Sequence, residues 1–90
     1  MIEVRHLSGD EYEVKVAAAV ATVHRVTLTQ AERNRLVGAS EPPMRLIEES
    51  FRFLLEREPN TSILSTFDLP VIGRYFPEYE REIARRLSAS

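Results

Sequence analysis

Two histidines, two aspartates and no cysteine are the small stock from which this 90-residue chain could build chemistry. A metal site of His and carboxylate type would need at least three of His6, His24, Asp10 and Asp68 to converge from two strands and a turn. His6 sits beside a turn, where exposure is usual, and His24 on a strand reads as an edge or half-buried side chain. The paired carboxylates Glu48-Glu49 and Glu11/Glu13 lie in charged contexts where solvation is their ordinary role. Gly9, Gly38 and Gly73 are too far apart to form a phosphate-binding loop, and no serine stands at a nucleophile elbow. The absence of cysteine removes disulfides, thiolate metal sites and thiol nucleophiles together. The expectation is a protein that is not an enzyme, with no catalytic residue, metal or cofactor.

The elements that would position any site follow from pattern and punctuation. Ninety residues make one domain, and 43% hydrophobic with 29% charged residues is the composition of a chain that folds. The fold class expected is α+β: an N-terminal antiparallel hairpin or small sheet, followed by about four helices packed on one face. Residues 1–28 supply strands, 29–58 two helices and 59–87 a C-terminal helical segment.

Ile2 to Leu7 alternates and meets the turn residues Ser8-Gly9-Asp10, which predicts a hairpin. A second alternation runs from Tyr12 to Leu28. As one flat strand it would span roughly 55 Å at about 3.3 Å per residue, too long for a small domain. It must bend, bulge or extend onto another molecule. A short helix at Ala17–Ala21 is the rival reading.

Thr29 and Glu32 form a capping box that starts a helix over residues 30–37, and Gly38 stops it. Ser40 is the next N-cap candidate, ahead of a helix from Pro42 to about Arg57. There Met44, Ile47, Phe51, Leu54 and Leu55 share one arc, while Leu46 and Phe53 form a second apolar ridge. Two ridges imply a helix covered on two sides, by the sheet and by either the C-terminal segment or a partner. Helices are expected over 69–75, with Asp68 as its cap, and over 78–87, striped by Tyr79, Ile83 and Leu87. The predicted core is Val14, Val16, Val26, Leu28, Leu36, Ile47, Phe51, Leu54, Ile72, Phe76 and Ile83.

Net charge is −2 and evenly spread, so no third of the chain forms a phosphate-binding surface. Eleven of the twelve basic residues are Arg. No apolar run is long enough to span a bilayer and no signal-like start is visible, so no membrane association and a cytoplasmic location are expected.

Two resemblances add to this. Residues 22–58, TVHRVTLTQAERNRLVGASEPPMRLIEESFRFLLERE, resemble the ribbon-helix-helix family of bacterial DNA-binding regulators. That likeness implies a strand paired between two chains, with Arg25 and Thr27 facing DNA, Val26 and Leu28 turned inward, and Ser40 at a phosphate-binding helix start. Glu41, two prolines, a short first helix and the strand upstream depart from the family pattern. The ending REPNTSIL…FDLPVIGRYFPEYEREI is similar to that of a group of short uncharacterised bacterial proteins, which implies a bacterial family and no mechanism.

The functional expectation is a regulatory or adaptor module that acts by protein contact, as a homodimer through its long strand. Leu46, Phe53, Arg74, Tyr75 and Tyr79 are the candidate contact residues for a protein partner, because aromatic residues beside Arg are typical of binding hot spots. A DNA-binding regulator or antitoxin of ribbon-helix-helix type is the alternative; nucleic acid is possible as a partner but not favoured.

Overall fold

A computed structural model describes residues 1–38 and 41–88 of the chain. Four strands and four helices follow in the order β1 (Ile2–Ser8), β2 (Glu11–Val16), β3 (Thr22–Thr27), α1 (Gln30–Leu36), α2 (Pro43–Leu55), β4 (Thr66–Asp68), α3 (Ile72–Tyr75) and α4 (Tyr79–Ser88). The class is α+β. The sheet is mixed: its order is β1-β2-β3-β4, with the first three strands antiparallel and β4 parallel to β3.

Local chemistry sets most boundaries. Gly9 takes φ 53° in the turn between β1 and β2, a left-handed conformation that costs a glycine little. Both halves of the capping box are made: Thr29 Oγ1 accepts from the Glu32 amide at 3.0 Å, and Glu32 accepts from the Thr29 amide at 2.9 Å. At the other end of α1 the Gly38 amide bonds the Asn34 carbonyl. The helix α2 begins after Pro42 with no side-chain cap, and the expected cap Ser40 lies outside the described residues.

The long alternation is two strands, not one. The chain bends through Ala17–Ala21, so Val16 lies opposite Thr22 and Val14 opposite His24. The tight bend keeps each strand to the width of the domain. A bend is one of the outcomes that the length of the run requires, and the rival short helix is not formed. The fourth strand was not anticipated: Thr66–Asp68 comes from the C-terminal segment and pairs with Arg25–Thr27. The Asp68 side chain caps no helix but accepts from the Thr27 hydroxyl across that pairing.

Tyr12, Val14, Val16, Val26 and Leu28 enter one core with Leu46, Ile47, Phe51, Phe53 and Leu54 of α2 and with Tyr79, Ile83 and Leu87 of α4. The helix α2 contacts β1, and α4 contacts α2. Ten of the eleven predicted core residues are buried; Phe76 is half-buried.

The second ridge of α2 is covered from within the chain. Phe53 meets Phe76 and Tyr79 edge-on, with ring centroids 5.9 and 5.3 Å away. Arg57 lies 3.6 Å over the Phe53 ring, bonds the Phe53 carbonyl and reaches Glu78. Arg86 pairs with Glu56 and Glu82 beside it. Flat guanidinium groups suit such a seal, since they stack on a ring while still donating in plane.

Candidate functional site

The end of α2, the segment 60–67 and α3 enclose an apolar groove of about 280 Å³. Leu54 and Ile72 at its base belong to the core, and Phe67, Val71 and Phe76 are half-buried. Leu64 and Tyr75 on its walls are 48% and 66% exposed. Glu58 is the only charged residue lining it, and forms no ion pair among the described residues.

A buried polar network holds the outer wall in place. His24 is 2% exposed, and its Nδ1 lies 2.8 Å from the Leu64 carbonyl. A carbonyl only accepts, so Nδ1 carries the proton. In the neutral ring Nε2 then accepts from the Thr22 hydroxyl, also at 2.8 Å. Thr22 Oγ1 accepts in turn from Asn60 Nδ2, which also donates to the Val20 carbonyl. A 3-10 turn at Asn60–Ser62, after Pro59, brings this asparagine inward. The network ties the segment before β4 to the start of β3 and fixes Leu64 beside the groove. The ring of Phe51 packs between His24 and Phe67, extending the same support to the floor.

The five contact candidates separate cleanly. Leu46, Phe53 and Tyr79 are all 0% exposed and serve this chain's own core, which corrects their assignment to a partner surface. Hydrophobic ridges read the same from sequence whether a partner or the chain's own ending covers them. Tyr75 is exposed and lines the groove, and Arg74 beside it is exposed but does not. Leu64, Phe67, Val71 and Glu58 were missed. The only signal for the three apolar residues was the apolar density of residues 63–76, and Glu58 carried none.

Tyr79 Oη lies 2.7 Å from Ser50 Oγ, which itself donates to the Leu46 carbonyl at 2.7 Å. With its one proton committed, Ser50 must accept from the tyrosine. Burial pushes the Tyr79 phenol well above its ordinary pKa.

Arg25 and Thr27 alternate with the buried Val26 along β3; Arg25 is exposed, while Thr27 is half-buried and donates to Asp68. The strand is partly occupied. β3 bonds β2 along one edge and, over Arg25–Thr27, β4 along the other, so the two residues of the ribbon-helix-helix reading are already paired within the chain. The third residue of that reading, Ser40, is outside the described residues. The long strand through which a homodimer was expected is here two strands, β2 and β3.

His6 stacks on Tyr12 with centroids 4.8 Å apart and its Nε2 bonds the Gly9 carbonyl. Both ring nitrogens of His24 and Nε2 of His6 are thus engaged by groups other than carboxylates, and among the described residues no three metal-ligating side chains cluster. Among the described residues no helix is long and apolar enough to cross a membrane. No protein-family model, curated protein or solved structure matches the chain.

Proposed function

We propose that this chain is a non-enzymatic regulatory or adaptor module, of the bacterial kind its ending resembles, that acts by protein contact through the groove walled by Leu64 and Tyr75. Its occupant is a short peptide segment presenting one bulky apolar side chain with a basic residue beside it. The observation that carries this reading is an apolar groove with a single carboxylate at its wall, Glu58, which has no ion pair among the described residues. A cationic neighbour on the incoming segment complements that charge.

Size and chemistry favour a side chain over a metabolite. Small-molecule pockets usually hold about 300–1,000 Å³ and several convergent polar groups. This groove is slightly smaller, and Glu58 and Ser62 are its polar side chains apart from the Tyr75 hydroxyl. Tyr75 supplies large, stiff contact area of the type that dominates binding energy. The reading takes the helices to share the sheet's apolar face, leaving the groove at their edge open to solvent.

A random peptide library displayed on phage, panned on the full chain, tests this. Enriched sequences should share an aromatic or branched aliphatic residue within a few positions of Arg or Lys. Tyr75→Ala should weaken a selected peptide at least about tenfold, the effect of losing a modest hot spot. Glu58→Gln should reduce the preference for the basic residue. Peptides that bind Tyr75→Ala as well as the parent chain, or no enrichment at all, would refute the proposal.

A further inference from the structure

The outer edge of β1 carries a second, independent signal. This strand ends the sheet, is seven residues long, and contains neither Pro nor Lys; its one irregularity falls at the end, between His6 and Ser8. Natural edge strands are usually blunted by just those devices, whereas the opposite edge, β4, is only three residues long. β1 is left as a template for another strand.

Hydrogen bonding shows which groups are on offer. Met1 and Ala17 exchange both backbone bonds, at 2.8 and 3.0 Å. Antiparallel pairs alternate, so Glu3 with Lys15 and Arg5 with Glu13 are the next bonded pairs along the register. The N–H and C=O groups of Ile2, Val4 and His6 therefore point away from β2, toward solvent.

We infer that β1 pairs antiparallel with β1 of a second copy, about a two-fold axis at Val4, to give a continuous eight-stranded sheet. In this register Val4 lies opposite the partner's Val4, and Ile2 opposite the partner's His6. All of the outward-pointing groups are used, each pair exchanging both bonds.

Charge selects the register. Ile2 and Val4 pack against the core, so Glu3 and Arg5 stand on the opposite, exposed face. With Val4 on the axis, Glu3 faces the partner's Arg5 and Arg5 faces the partner's Glu3. Sliding the strand by two residues in one direction sets Glu3 against the partner's Glu3, and in the other Arg5 against the partner's Arg5. A slip of one residue would turn the apolar face to solvent. Within the chain Glu3 already lies opposite Lys15, and Arg5 bonds Glu13 at 3.2 Å. Across the joined sheet the charges alternate in sign on successive strands.

The test is sedimentation velocity of the full chain over a dilution series, with circular dichroism confirming that each variant folds. The parent chain should be a dimer that dissociates on dilution. Two-fold symmetry makes each substitution act twice, so Glu3→Arg should weaken the dimer at least about tenfold by setting like charges opposite. The double reversal E3R/R5E should restore it, although it breaks the charge pattern inside each chain. If Glu3→Arg fails to fold, Glu3→Gln reads the same contact with a smaller expected loss. A parent chain that is monomeric throughout, a dimer indifferent to both Glu3 substitutions, or a reversal that folds and does not restore it would overturn the inference.

Discussion

The hydrogen bond between buried Ser50 and Tyr79 has its direction fixed by the surrounding geometry, and the direction predicts an asymmetry. Replacing Tyr79 by Phe removes the phenol and leaves Ser50 still donating to the Leu46 carbonyl. The cost is one net hydrogen bond, about 1 kcal/mol. Replacing Ser50 by Ala strands the phenolic O–H with no acceptor in a site 0% exposed. That penalty is about 1–3 kcal/mol, so Ser50→Ala, the smaller change in volume, should be the more damaging. With both polar groups gone nothing is left unsatisfied, and the double variant should cost less than the sum of the two by about 1 kcal/mol.

Urea unfolding of the four proteins, with melting temperatures as a second readout, measures this cycle. For a domain of this size each kcal/mol corresponds to about 4–8 °C. If Tyr79 instead lay on a surface awaiting a partner, both substitutions would stay within about 0.5 kcal/mol of the parent. Strictly additive effects, or a Tyr79→Phe loss larger than that of Ser50→Ala, would refute the assigned donor and acceptor.

Three further outcomes follow from the same geometry. Thr29→Ala removes the capping-box acceptor and should lower stability by about 1 kcal/mol, with the loss read by denaturant titration. His24→Leu keeps the volume but leaves the Leu64 carbonyl and the Thr22–Asn60 pair short of a partner; a fall of about 1–3 kcal/mol is expected, together with faster amide exchange over residues 60–66. Bonds from Arg85 and Arg86 hold the Glu82 carboxyl at about 2, below its ordinary 4.5. The folded pKa is depressed, so this contribution is complete above pH 4.5 and is lost as pH falls from there toward about 2; the melting temperature of Glu82→Gln should show a shallower acid decline than the parent.

How much was legible depends on whether a feature is local. The capping box at Thr29 and Glu32, the stripe Tyr79–Ile83–Leu87 and the arc of α2 each declare themselves within a few turns, and the helix limits follow. The length of the second alternation calls for a bend, but its place at Ala17–Ala21 is unmarked, because the segment contains no Gly, Pro, Asn or Asp and the flanking alternation keeps the same parity. β4 is too short to carry a period. Ser50 on α2 reads as an ordinary polar residue until Tyr79 is placed opposite it. The burial of Leu46 and Phe53 was clear as a ridge, but only the tertiary packing shows that the chain's own ending covers it. The groove was hidden for the same reason: its walls come from segments that look alike in sequence, and exposure separates Tyr75 from Tyr79.

The proposed contact surface is tested most directly by mapping a selected peptide on the ¹⁵N-labelled chain. Amide shifts on titration should concentrate at Glu58, Leu64, Phe67, Val71 and Tyr75, and should leave Lys15 and Arg25 on the opposite sheet face unmoved. Shifts centred on that opposite face, or along β1, with the groove residues silent, would contradict the account.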